Sequence, residues 1–149
     1  MPARPALAAA AVAVVLAACD RSPTLATCAD HLGGVWQTAD GSARWHILDG
    51  GERLQAYPLV RELPAMPTGT QAAPSTLDLR RSRGEVVGTV IRRWHRGGEV
   101  CVVRAPARIR GCAADRLTLT FGDTGPPTDW TACRVDGPTT AQLLQRTWP

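Results

Sequence analysis

The 149 residues include 17 arginines, no lysine and 13 acidic side chains, for a net charge of +4. That is enough chain for one domain with a modest core and too little for two comfortable ones. No aromatic ladder or RNA-reading motif accompanies the positive charge, so nucleic acid is not the partner it points to.

The first element is an address. Arg4 precedes an apolar run from Ala6 to Ala18, which is too short to span a bilayer as a helix. A basic start, a short apolar middle and small residues at the end make up a secretory signal over residues 1–18. Its ending, Leu16-Ala17-Ala18-Cys19, resembles the lipobox of bacterial lipoproteins. The resemblance implies a diacylglyceryl group on the Cys19 thiol, cleavage before Cys19, and acylation of the new amine by a palmitate-type chain. Two or more acyl chains hold a protein on a membrane, where one binds only marginally. The competing reading is an ordinary cleavable signal with an incidental Cys. Asp20 resembles the inner-membrane retention residue of enteric lipoproteins, while either membrane of the cell envelope stays open. Residues 19–31, with Pro23, read as the anchor and a polar tether facing the periplasm.

Residues 32–149 then alternate short strand patterns with turn chemistry. Gly34 to Thr38 is a first strand, ended by the hairpin signal Asp40-Gly41. Ser42 to Leu48 puts Ala43, Trp45 and Ile47 on one face, and Asp49-Gly50-Gly51 reverses the chain. Arg53 to Leu59 is the third strand, with Pro58 marking its end or an edge. Residues 61–75 hold three prolines and read as one long loop, of a length that often serves as a lid or binding loop. Thr76 to Arg80 turns its leucines inward. The strand from Glu85 to His95 shares Val86, Val90 and Trp94 on one face, with Gly88 marking a bulge or bend. A strand from Glu99 to Arg104 or beyond follows, and Arg116 to Phe121 is the cleanest alternation in the chain. Trp130 to Val135 is the expected eighth strand. Thr139 to Thr147 has the composition of two helical turns, docking Leu143 and Leu144 on the sheet, with Trp148 covering an end.

About eight sequential strands predict an all-β fold, a small up-and-down antiparallel barrel. Closure removes both exposed sheet edges and leaves room inside for packed side chains or one small ligand. With Cys19 used for lipid, Cys28, Cys101, Cys112 and Cys133 remain, an even count that outside the cytoplasm reads as two disulfides. Three connectivities are possible. If the strand ending at Cys133 closes the barrel against the first strand, Cys28 pairs with Cys133 and Cys101 with Cys112. The Cys28-x-x-His31 spacing is a weak zinc alternative, and no cofactor motif is present.

Gly34-Val35-Trp36 with Arg134 resembles the lipocalin arrangement, in which a Gly-x-Trp on the first strand packs beneath an Arg from near the end of the barrel. An indole under a guanidinium would plug the closed end through a cation–π contact. Trp36 to Ser42, followed by Tyr57, is also similar to the opening of avidin-like proteins. That resemblance implies a ureido-binding set at Thr38, Ser42 and Tyr57, with Trp45, Trp94 and Trp130 as ligand-binding walls; core packing is their alternative role.

Enzyme motifs are missing. There is neither a Gly-x-Ser-x-Gly elbow nor a Gly-rich phosphate loop opening a helix, and His31, His46 and His95 are scattered. Six arginines (Arg80, Arg81, Arg83, Arg92, Arg93 and Arg96) fall within seventeen residues, beside one acid, Glu85. They suit anionic lipid headgroups or an ordinary solvated strand face. The expectation is a monomeric, membrane-tethered barrel that binds a small apolar ligand. The alternative is an envelope interaction module, such as a hydrolase inhibitor, with a filled barrel and working loops.

Overall fold

The computed structural model describes Cys28, residues 31–59, Met66 and residues 68–148. The signal, the lipobox at Leu16–Cys19 and most of the tether lie outside these residues, as do 61–65 and 67 of the expected long loop, whose later part is not all loop but holds a short strand at Thr70–Ala72. Nine strands are formed: β1 Gly34–Gln37, β2 Arg44–Asp49, β3 Arg53–Pro58, β4 Thr70–Ala72, β5 Thr76–Ser82, β6 Glu85–Arg96, β7 Glu99–Arg110, β8 Arg116–Phe121 and β9 Thr140–Trp148. Eight of them close into an antiparallel barrel in which each pairs with its neighbour in sequence, β4 excepted, and β9 returns to β1. The three-residue β4 stands outside this ring and pairs only with the far end of β6.

Alternation builds the core. Trp36, Ile47, Leu54, Leu79, Val86, Leu117, Leu119 and Leu144 are all buried to 2% exposure or less, one or two from each of seven strands. Their outward neighbours, such as Arg53, Gln55, Arg80 and Arg116, are exposed. The longest strands, β6 and β7, overshoot the ring. Their last and first residues form an arm above it, with a small core of its own from Trp94, Cys101 and Val103, joined by Met66, Trp130 and Cys133.

The end of the chain corrects two expectations. No helix occurs among the described residues, and 140–148 is instead the strand that closes the barrel. Its inward positions are Gln142, Leu144 and Arg146, so only one apolar residue marks the buried face. Leu144 is fully buried, but Leu143 and Trp148 are exposed at 58% and 68%, so Trp148 covers nothing. The expected strand at Trp130 to Val135 is a turn. Asp129 accepts the N–H groups of Thr131 and Ala132 through one carboxylate oxygen, and Cys133 adopts a positive φ of 52°.

The disulfides change with it. Cys28 is joined to Cys112, with Cα atoms 5.0 Å apart, and Cys101 to Cys133 at 5.2 Å. Because β9 closes the ring, Cys133 is not beside β1; it lies against the arm and fastens the 122–139 loop there. Cys28 meets the turn after β7 at the opposite end. The Cys28–Cys112 bond spans 84 residues, and by loop-closure entropy a bridge of that span stabilises the fold by about 4 kcal/mol. It also takes Cys28 out of any metal set with His31.

Gly88 is not a bulge, since it sits opposite Leu79 in an unbroken register. It is where two backbones crowd. A Cβ there would lie 2.0 Å from the Asp78 carbonyl oxygen. Gly88→Ala is expected to cost about 1–3 kcal/mol through forced separation of β5 and β6. Urea unfolding should show a lower midpoint with an unchanged slope.

Candidate functional site: the barrel mouth

The two ends of the barrel differ. At one end the segment before β1 crosses the opening. The Leu32 amide donates to Asp49 Oδ2 at 2.6 Å, and the Arg81 guanidinium donates to both oxygens of the same carboxylate, at 2.7 and 2.5 Å. The Arg81 Nε donates to the Cys28 carbonyl. Burial, the largest influence on Asp49, raises its pKa. The Arg81 contacts and the amides of Leu32 and Gly51 together outweigh it and hold the carboxyl well below its usual range. Trp36 Nε1 donates to the Leu32 carbonyl at 2.8 Å, and a guanidinium lies 4.6 Å from the Trp36 ring centroid.

That guanidinium belongs to Arg146 of β9, which also donates to the His31 carbonyl. Arg134, expected in this role, is instead exposed and 3.7 Å from Asp136. The Gly-x-Trp-plus-Arg arrangement is therefore present with a different arginine. Gly34 opens it at φ 125°, a conformation that a side chain would strain. This end is sealed by structural contacts.

Among the described residues the other end is open. A cavity of about 630 Å3 lies in the mouth, within the range of small-molecule sites. Its apolar wall includes Trp45, Phe121, Pro58, Leu59 and Pro74. Trp45 is held against Phe121 edge to face, ring centroids 5.9 Å apart, and its Nε1 donates to Gln142 at 2.9 Å. The polar wall includes Arg92, Ser75, Thr124 and Asp123. Ser75 and Thr124 are buried, and their hydroxyls are 3.3 Å apart. Trp94 Nε1 donates to the Thr124 carbonyl, which ties the loop after β8 to the arm and fixes this wall. Below the mouth the interior holds the packed side chains of Trp36, Ile47, Leu54, Leu79, Leu117 and Leu144, so the cavity occupies one end of the barrel and the core the other.

No protein family, no curated protein and no solved structure matches this chain.

Of the ligand-binding tryptophans expected from sequence, only Trp45 reaches the cavity. Trp94 is buried in the core of the arm, and Trp130 packs there beneath Arg96, whose guanidinium is 4.1 Å from its ring. The ureido set is not assembled. Thr38 and Ser42 both donate to Asp40, at 2.5 and 2.8 Å. The Thr38 hydroxyl, then the Ser42 amide and hydroxyl, hold the Asp40 carboxyl down at about 2. Tyr57 points outward and donates to Gln55. The arginine cluster is also dispersed. Arg81 serves the sealed end, Arg96 the arm, and Arg92 the mouth, while Arg80, Arg83 and Arg93 are exposed. Phe121, Gln142, Ser75 and Thr124 are residues of the mouth that sequence reasoning does not assign to a site, and it reads Arg92 only as one of six clustered arginines. Arg92 had a readable signal, because it shares parity with Val86, Val90 and Trp94.

Proposed function

We propose that this chain is a lipid-anchored envelope protein that carries a small, largely apolar molecule in its barrel mouth, by binding rather than catalysis. The observation that carries the reading is the open cavity of about 630 Å3 with Trp45 and Phe121 on its wall. A lipocalin-like role fits a closed barrel with a Trp–Arg pair at its sealed end. The anchor rests on the lipobox at Cys19, and two disulfides fit a compartment that oxidises thiols.

The test uses N-phenyl-1-naphthylamine, a neutral apolar dye that fluoresces on leaving water. The full chain is expected to bind it, and Ala43→Trp, which adds bulk at the cavity wall, is expected to abolish binding. Absence of binding to the unaltered protein, or full binding by A43W, refutes the carrier. Mass measurement of the membrane-derived product reads the anchor, which requires a chain beginning at an acylated Cys19.

A second reading draws on the arm. The β6–β7 hairpin rises beyond the mouth, is fastened through Cys101–Cys133, and exposes Val100 at 56% near its tip. A rigid projecting hairpin suits insertion into a partner protein, as an inhibitor would use it. Dye binding by the unaltered chain with loss in A43W favours the carrier over this reading.

A further inference from the structure

We infer that the molecule held in the mouth carries a single anionic head on its apolar body, and that Arg92 is the counter-charge that selects it. The inference rests on the carrier reading and adds the ligand class to it. Arg92 projects from the inward face of β6 into the cavity, two residues beyond the fully buried Val90. Its Nε is buried without a hydrogen-bond partner among the described residues. Burying a guanidinium nitrogen without an acceptor is costly, and the usual remedy is an oxygen anion in its fork geometry. Burial also pushes the Arg92 pKa below its usual value, an effect the charge of Asp123 partly offsets.

The surroundings fill that role only in part. Asp123 lies on the same wall and acts on Arg92 through its charge, but its Oδ1 accepts the Gly125 amide at 2.8 Å and it makes no direct hydrogen bond to Arg92 Nε. Among the described residues Arg44, exposed at the rim, is the other charged side chain lining the cavity, so two cations face one carboxylate there. Ser75 and Thr124 share one hydrogen bond beside this wall, and whichever hydroxyl accepts in it keeps its proton for a head-group oxygen. Trp45, Phe121 and Pro58 supply the apolar surface for a tail. The competing role for Arg92 is packing alone, its guanidinium carbon 5.6 Å from the Trp94 ring centroid. Packing predicts no preference between head groups.

The experiment displaces the naphthylamine dye from the full chain with four ligands sharing one tail: decanoate, decyl phosphate, decanol and decyltrimethylammonium. The two anions are expected to bind about ten- to a hundred-fold more tightly than decanol, as one charge-assisted contact supplies, with the cation weakest. Whichever anion leads, carboxylate or phosphate, identifies the head and supports the inference. Arg92→Met should bring both anions down to the level of decanol while leaving decanol itself little changed. Equal binding of decanol and both anions by the unaltered chain overturns the inference, as does an anion preference that survives R92M. Should R92M not fold, the four-ligand series on the unaltered chain decides alone. Failure of the dye to bind removes the carrier reading and this inference together, whereas dye binding without head-group preference removes only the inference.

Discussion

Trp36→Ala is expected to remove about 3–5 kcal/mol of stability, the range for truncating a fully buried aromatic. Trp36 is 0% exposed and the largest side chain at the sealed end. Its loss opens a cavity, deprives the Leu32 carbonyl of its donor, and leaves Arg146 above empty space instead of an indole. A domain of this size has about 5–15 kcal/mol in total, so the variant should be partly unfolded at moderate temperature. Two companions divide the effect. Trp36→Phe keeps a ring and loses the N–H, and Arg146→Met keeps the stem and loses the charge, worth about 0.5–2 kcal/mol as a cation–π contact. Urea unfolding followed by circular dichroism reads all three. A midpoint for W36A within experimental error of the unaltered protein would show that the sealed end contributes nothing to the fold.

Asp49→Asn is the second large effect, expected near 3 kcal/mol, because removing one member of a buried pair strands the other. The Asp49 side chain is 1% exposed and the Arg81 side chain 19%, so solvent screens the pair little. The carboxylate also accepts the amides of Leu32 and Gly51, and an asparagine can satisfy only some of these donors. The pH dependence has a definite sign. The folded-state pKa of Asp49 lies below its unfolded value of about 3.9, so its stabilisation is complete above that value. As the pH falls below about 4 toward the folded pKa, protonation removes it. The unaltered protein should lose stability across that acid range more steeply than D49N. Parallel acid-unfolding curves for the two would exclude Asp49 as the group responsible.

The strands whose inward residues are all apolar were legible before any coordinates. Leu117, Leu119 and Phe121 announce β8, because period-two burial leaves a period-two pattern, and in β6 Val86, Val90 and Trp94 carry the pattern although Arg92 interrupts the same face. The closing strand was hidden for the same reason in reverse. Gln142 and Arg146 point inward for specific partners, Trp45 and Trp36, so the apolar stripe shrinks to Leu144 alone. With Leu143 beside it, the segment has the composition of a helix, and only the demand for an eighth strand overrides that preference. The disulfide pairing followed from the closing strand and was misread with it. Within the site, Trp45 and Ala43 were legible from alternation. Arg92 was counted with neighbouring charges rather than by its face, and the cavity itself depends on loops whose paths short-range chemistry does not specify.

The sealed end holds both Cys28, at the start of the described chain, and Trp148, at its finish, since Trp148 pairs with Val35 and Cys28 with Cys112. Any handle joined there, whether a fatty chain, a solid support or a fused reporter, grips the molecule at its base. The mouth is then presented outward, which suits immobilised binding assays. Under the carrier and anchor proposed above, cargo would arrive from the aqueous side or from an opposing surface rather than from directly beneath the molecule's own foot.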